Sequence, residues 1–76
     1  MQILNIAAYK FVALAQPETL QTSLAERLRG HAIKGTVLLA EEGINLFLAG
    51  PAADIHDFLA WLKQDARFAD LQAKES

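Results

Sequence analysis

The sequence of 76 residues contains no cysteine, so it has no disulfide staple, no thiolate nucleophile and no cysteine-based metal site. It also lacks a basic surplus: seven Lys and Arg stand against nine Asp and Glu, giving a formal net charge of −2. Free-standing nucleic-acid binders normally carry excess positive charge to neutralise phosphates, which argues against a strong binder of that kind but leaves room for a local basic patch. No apolar run reaches membrane-spanning length, because Lys10, Glu26, Lys34, Glu41 and Asp54 interrupt every candidate. The opening Met1-Gln2-Ile3-Leu4-Asn5 has neither the basic head nor the small-residue cleavage site of a signal peptide. The expectation is a cytoplasmic location and no membrane partner. A chain this short makes one domain at most, with a thin stability margin. Its core must come from apolar side chains alone, for which a hydrophobic content of 53% is ample.

The pattern centres on Lys34 to Gly50. Two β-favouring runs, Thr36 to Ala40 and Ile44 to Ala49, are joined by Glu41-Glu42-Gly43 and predict a β-hairpin. Gly43 is expected to supply a positive φ for the reversal. Ile44, Leu46 and Leu48 point to one face and Asn45, Phe47 and Ala49 to the other. Residues 3–11 predict a first strand, with Leu4, Ile6 and Ala8 facing the core and Asn5, Ala7 and Tyr9 opposite. Pro17 opens a helix with Glu18 in its first turn, Leu20, Leu24 and Leu28 along one side, Arg27 and Arg29 near its end and Gly30 as its C′ residue. Pro51 opens a second helix with the stripe Ile55, Phe58, Leu59, Leu62, closed by Lys63 and Gln64; Trp61 lies at the stripe's edge. Asp65 to Phe68 reads as a turn that tucks Phe68 under the helix. Asp70 to Glu75 reads as a last strand with Leu71 and Ala73 inward. The order strand, helix, strand, strand, helix, strand predicts an α+β ferredoxin-like βαββαβ sandwich: a four-stranded antiparallel sheet with both helices on one face and the first and third strands central. The chain stops just after this last strand, as a domain cut from something longer would.

Few residues carry chemistry. Glu41 and Glu42 are adjacent, so they point apart and read as a solvated turn rather than an ion site. His31 and His56 lack a second ligand at metal spacing and read as surface histidines. Ser23 sits mid-helix and Ser76 is terminal, neither within a nucleophile-elbow sequence. No metal, cofactor or catalytic residue is expected. An acylphosphatase-type enzyme shares this strand order, but Phe11 to Gln16 has no arginine to hold a phosphate. Tyr9 and Phe47 fall on adjacent central strands of the open sheet face, where rings can stack nucleic-acid bases, with Lys10 and Lys34 near in sequence to hold phosphates. The alternative is an apolar patch covered by another domain, and that reading is preferred.

Tyr9-Lys10-Phe11, Lys34-Gly35-Thr36, Leu39-Ala-Glu-Glu-Gly-Ile-Asn45, Trp61-Leu62 with Asp65 and Arg67-Phe68, and the closing Lys74-Glu75-Ser76 resemble the N-terminal domain of the rhodanese-related tRNA uridine hydroxylases. The likeness runs along essentially the whole chain, and no fold rule demands its Ala-Glu-Glu-Gly-Ile-Asn core. It implies a rhodanese domain downstream that bears the active-loop cysteine, and oxygen-dependent 5-hydroxylation of the wobble uridine of tRNA by the whole protein. This part would then be a non-catalytic accessory domain packing on the rhodanese domain, with tRNA as a further partner. Where the family commonly continues Ile-Asn with Gly-Thr, Leu46-Phe47 stands here, and Ala66 replaces a frequent proline before Arg67. The first departure makes the outer sheet face more apolar and favours packing over tRNA contact at Phe47. Candidate interface or RNA-binding residues are therefore Tyr9, Lys10, Lys34, Asn45 and Phe47. A protein-interaction module docking a partner through the same face, with no RNA role, is the alternative. A small-molecule regulatory domain has little support, since no glycine-rich or polar pocket-forming loop is present.

Overall fold

A computed structural model describes residues 2–75. The elements run β1 (Ile3–Phe11), α1 (Pro17–Arg29), β2 (Lys34–Ala40), β3 (Gly43–Pro51), α2 (Ala52–Leu62), a 3-10 turn (Ala66–Phe68) and β4 (Ala73–Glu75). The four strands form one antiparallel sheet in the order β2-β3-β1-β4, so the expected sandwich is the observed one, with β1 and β3 central. Ile6 and Ala8 of β1 and Ile44, Leu46 and Leu48 of β3 make the sheet's side of the core. Leu24 of α1 and Ile55, Phe58 and Leu62 of α2 cover them, and Leu14, Phe68 and Leu71 plug the ends. Alternation in the strands and the four-residue spacing in the helices each give one apolar face, and burying the two faces against each other is the chief driving force for this layer arrangement.

The hairpin is tighter than its sequence suggested. β2 and β3 are joined by Glu41 and Glu42 alone, neither with positive φ, and Gly43 already belongs to β3, opposite Ala40 on one side and Phe11 on the other. Gly43 does have a positive φ of 159°, but its greater constraint is β1: a Cβ at this position would lie 2.2 Å from the Lys10 carbonyl oxygen. The tip is tied down where Val12 N–H donates to the Glu42 carbonyl at 3.0 Å and Leu14 N–H to that of Glu41 at 2.9 Å.

Two boundaries and one cap conformation differ from the sequence reading. Gly30 is not a left-handed terminator: its φ of −81° and ψ of 0° are right-handed, and α1 ends in a tightened turn in which His31 N–H reaches Leu28 O at 3.0 Å. Pro51 closes β3 in an extended conformation and α2 starts after it, ending at Leu62 with Lys63 as its cap residue. β4 is shorter than the span from Asp70, because residues 66–71 are spent on a turn that buries Phe68 and then Leu71, whose N–H bonds back to Phe68 O at 3.0 Å.

That turn is held by Asp65, which accepts from Arg67 N (2.9 Å) and from the guanidinium Nε (3.0 Å) and NH2 (2.6 Å). The side-chain hydrogen bonds from Arg67 lower the Asp65 carboxyl from 3.8 to about 2. A carboxyl with a depressed folded pKa stabilises the fold above its unfolded value and loses that contribution as pH falls towards the folded one. Both partners are about one-third open to water, so screening limits the pair to about 1 kcal/mol. Asp65→Asn is therefore expected to lower stability by that modest amount at neutral pH. The gap from the parent protein should close as pH falls from 3.8 to about 2, which urea melts across that range would show.

Candidate interaction face

The helices cover one side of the sheet and leave the other open. Cross-strand register defines the open side row by row: Asn5, Ala49 and Lys34; then Lys74, Ala7, Phe47 and Thr36; then Tyr9, Asn45 and Leu38; then Phe11, Gly43 and Ala40. The large hydrophobic side chains left exposed among the described residues are Ile3, Tyr9, Phe11, Leu38 and Phe47. All five occupy this face. Phe11 is the most open at 83%, and Phe47, near the centre, is 53% exposed. Tyr9 and Phe11 meet edge-on, ring centroids 6.4 Å apart. Because Gly43 has no side chain, the hairpin end holds a depression of about 160 Å³ lined by Tyr9, Phe11, Leu38, Ala40 and Asn45.

Charge on this face is as uneven as polarity. Its strand residues include Lys34 and Lys74 but no Asp or Glu, although the whole chain is net negative. The two lysines stand on the two edge strands, and the aromatic rings stand on the central pair. Glu42, at the hairpin tip, borders the depression.

Of the residues singled out in the sequence, Tyr9, Lys34, Asn45 and Phe47 come together here, with Tyr9 directly opposite Asn45. Lys10 does not. It alternates to the helix side, where its ammonium is held by the Asp70 carboxylate and donates to Arg67 O at 2.7 Å; the hydrogen bond from Lys10 lowers the Asp70 carboxyl. Ile3, Phe11, Leu38 and Lys74 were missed. Carrying the alternation to the ends of β1 and β4 yields Ile3, Phe11 and Lys74, while Leu38 needs the two-residue hairpin register.

His31 departs from a surface histidine. Its ring is 16% exposed, with Nδ1 3.5 Å from Asp54 and Nε2 3.4 Å from Asp57, contacts that are ionic only when the ring is protonated. Arg27 joins Asp57 at 3.7 Å and lies over the Trp61 ring at 5.4 Å, so this cluster fastens α1 to α2. His56 is exposed as expected, as are Glu41, Glu42 and Ser23, while Ser76 lies outside the described residues. Among the described residues no three His, Asp or Glu side chains converge as metal ligands, and no helix is long and apolar enough to cross a membrane. A second concavity, of about 480 Å³, lies between the start of α1 and the end of α2, lined by Thr19, Ser23, Trp61 and Arg67 among others.

Strand order, two helices on one face and an open, apolar second face define a ferredoxin-like α+β domain with its exposed large hydrophobics gathered on the free side of the sheet. The chain belongs to the UPF0176 acylphosphatase-like domain family, whose sequence model matches residues 3–76. It is 60% identical over 76 residues to the tRNA uridine(34) hydroxylase of Cupriavidus taiwanensis, 61% over 74 residues to that of Bordetella pertussis, and 58% over 74 residues to that of Delftia acidovorans. These matches cover 97–100% of this chain but only 27%, 30% and 28% of the respective relatives, and they fall in the relatives' N-terminal part.

Proposed function

We propose that this chain is the non-catalytic accessory domain of a longer protein that hydroxylates uridine 34 of tRNA. In this reading its open sheet face packs on the rest of that polypeptide, where the resemblance places the rhodanese domain. The observation that carries the reading is the gathering on one face of all five large hydrophobics exposed among the described residues. An apolar centre on β1 and β3, with lysines on the outer strands, has the anatomy of an interface with a buried core and a polar rim. Lys34 and Lys74 at that rim stay available to tRNA phosphates once the centre is covered, with Asn45 and Tyr9 between them and the depression.

A second reading, a docking face for a separate protein with no RNA role, draws on the same apolar centre. The lysines discriminate. In the full-length protein carrying this domain, Lys34→Glu with Lys74→Glu is expected to weaken tRNA binding and to flatten its salt dependence by about one unit of log–log slope per lost phosphate contact. Unchanged affinity and unchanged slope would remove the RNA contact and leave the packing role standing alone.

A further inference from the structure

β2 is an edge strand, and its outer edge is complementary to itself. Val12 N–H donates to Glu42 O at 3.0 Å, and Ala52 N–H donates to Gln2 O at 3.2 Å. The even-numbered backbone groups of β3 therefore bond to β1. By the alternation of an antiparallel ladder its odd-numbered ones bond to β2, where Asn45 meets Leu38 and Phe47 meets Thr36. Gly35, Val37 and Leu39 are left pointing the other way, and among the described residues no strand lies beyond them. This edge runs through the middle of the described chain, with Ile33 before it and Glu41 after it. Natural edges are blunted by proline, charge or a bulge. From Gly35 to Ala40 there is no proline and no charge, and the pairing with β3 is unbroken.

We propose that β2 pairs antiparallel with β2 of a second copy about a two-fold axis at Val37, joining the two sheets into one. In that register Gly35 lies opposite Leu39, Val37 opposite Val37 and Leu39 opposite Gly35, so every outward N–H and C=O of the strand finds a partner. Thr36 and Leu38 of the two copies form the closely spaced, non-hydrogen-bonded pairs of the ladder, and Leu38, 56% exposed, packs against Thr36 of the second copy. Charge selects the antiparallel direction. Lys34 begins β2 and Glu41-Glu42 follow its end. Antiparallel pairing sets each lysine opposite Ala40 and within diagonal reach of Glu42 of the second copy, whereas parallel pairing sets lysine beside lysine and glutamate beside glutamate. Ion pairs this exposed set direction more than strength, and Lys34 keeps its freedom to meet a phosphate. The contact is isologous, so it closes at two copies and leaves no β2 edge for further addition. A two-fold axis perpendicular to the sheet keeps both open faces on the same side. Tyr9, Phe11 and Phe47 of both copies, with Lys74 towards each outer edge, then form one continuous face.

Disulfide trapping in the full-length protein tests this. Thr36→Cys and Leu38→Cys variants, purified separately, mixed and mildly oxidised, are expected to give a dimer linked from position 36 to position 38, the two variant peptides being told apart by mass. Links within either variant alone span the ladder diagonal of about 7–8 Å, beyond disulfide reach, and should be at least about tenfold scarcer. The parent protein should sediment as a dimer that dissociates on dilution. A monomer at every concentration overturns the proposal, and so does a dimer whose links join 36 to 36 or 38 to 38. Phe47→Asp should leave the 36–38 link intact, because Phe47 lies on β3 away from the seam. A link lost with that variant would put the contact on the open face and overturn pairing through β2, so the two surfaces are read separately.

Discussion

Phe58→Ala is expected to cost about 3–5 kcal/mol, enough to unfold most of a domain of this size. Phe58 is fully buried and among the largest side chains of the core. It sits on α2 between the sheet and Trp61, ring centroids 5.9 Å apart. Truncation leaves a ring-sized void with β3 on one side and α2 on the other, and neither can collapse into it without breaking its own hydrogen bonds. Small domains sit at the low end of a stability range of roughly 5–15 kcal/mol, and with no cysteine nothing covalent holds the unfolded chain together. Urea unfolding followed through Trp61 fluorescence should show the midpoint falling steeply. Phe11→Ala is the control: with its ring 83% exposed, it should change stability by less than about 0.5 kcal/mol. Similar losses for the two variants would mean that the open face is part of the fold rather than a surface waiting for a partner.

The same contrast explains what the sequence could and could not reveal. Buried positions are set by period: Ile6 and Ala8, Leu46 and Leu48, and Ile55 with Phe58 and Leu62 all follow from alternation or helical spacing, because one face of each element must leave water. The face opposite is legible as far as register is. Tyr9, Asn45 and Phe47 were placed correctly on it, since a strand residue that does not point inward points outward. Lys10 was misjudged because proximity in sequence to Tyr9 is separation in a strand, where neighbours face opposite ways. Gly43 was read as a turn residue because turns favour glycine, whereas the nearby Lys10 carbonyl, 33 positions earlier in the numbering (43 − 10), is what leaves no room for a side chain. The His31, Asp54 and Asp57 cluster was invisible for the same reason: it joins a loop to a helix across the β2–β3 hairpin, and no local pattern records that distance. The starts read at Pro51 and Asp70 precede those of α2 and β4 by one and three residues, and Gly30 ends α1 where expected but in a right-handed conformation, because capping preferences are weaker than the packing that overrides them.

Phe47→Asp is expected to leave the domain folded and to disable the full-length protein. The side chain is 53% exposed, on the face away from the core, so the substitution removes little that holds the sheet together. If the rest of the polypeptide packs here, it would bury a carboxylate at the centre of an apolar contact, at a cost of roughly 3–5 kcal/mol. A contact weakened that far opens about a hundredfold or more often. Amide exchange across β1 and β3 should then rise, and uridine hydroxylation should fall with it. Phe47→Leu separates the two ways a ring can be used. Leucine keeps most of the apolar volume that packing needs, so packing predicts near-normal activity. It has no π-face, so base stacking predicts a loss comparable to that of the aspartate variant. Activity rescued by leucine and insensitive to moderate salt makes Phe47 a structural contact between domains. Activity lost with leucine, together with a steep salt dependence, would move the ring into the tRNA site and would overturn the packing assignment for the centre of the face.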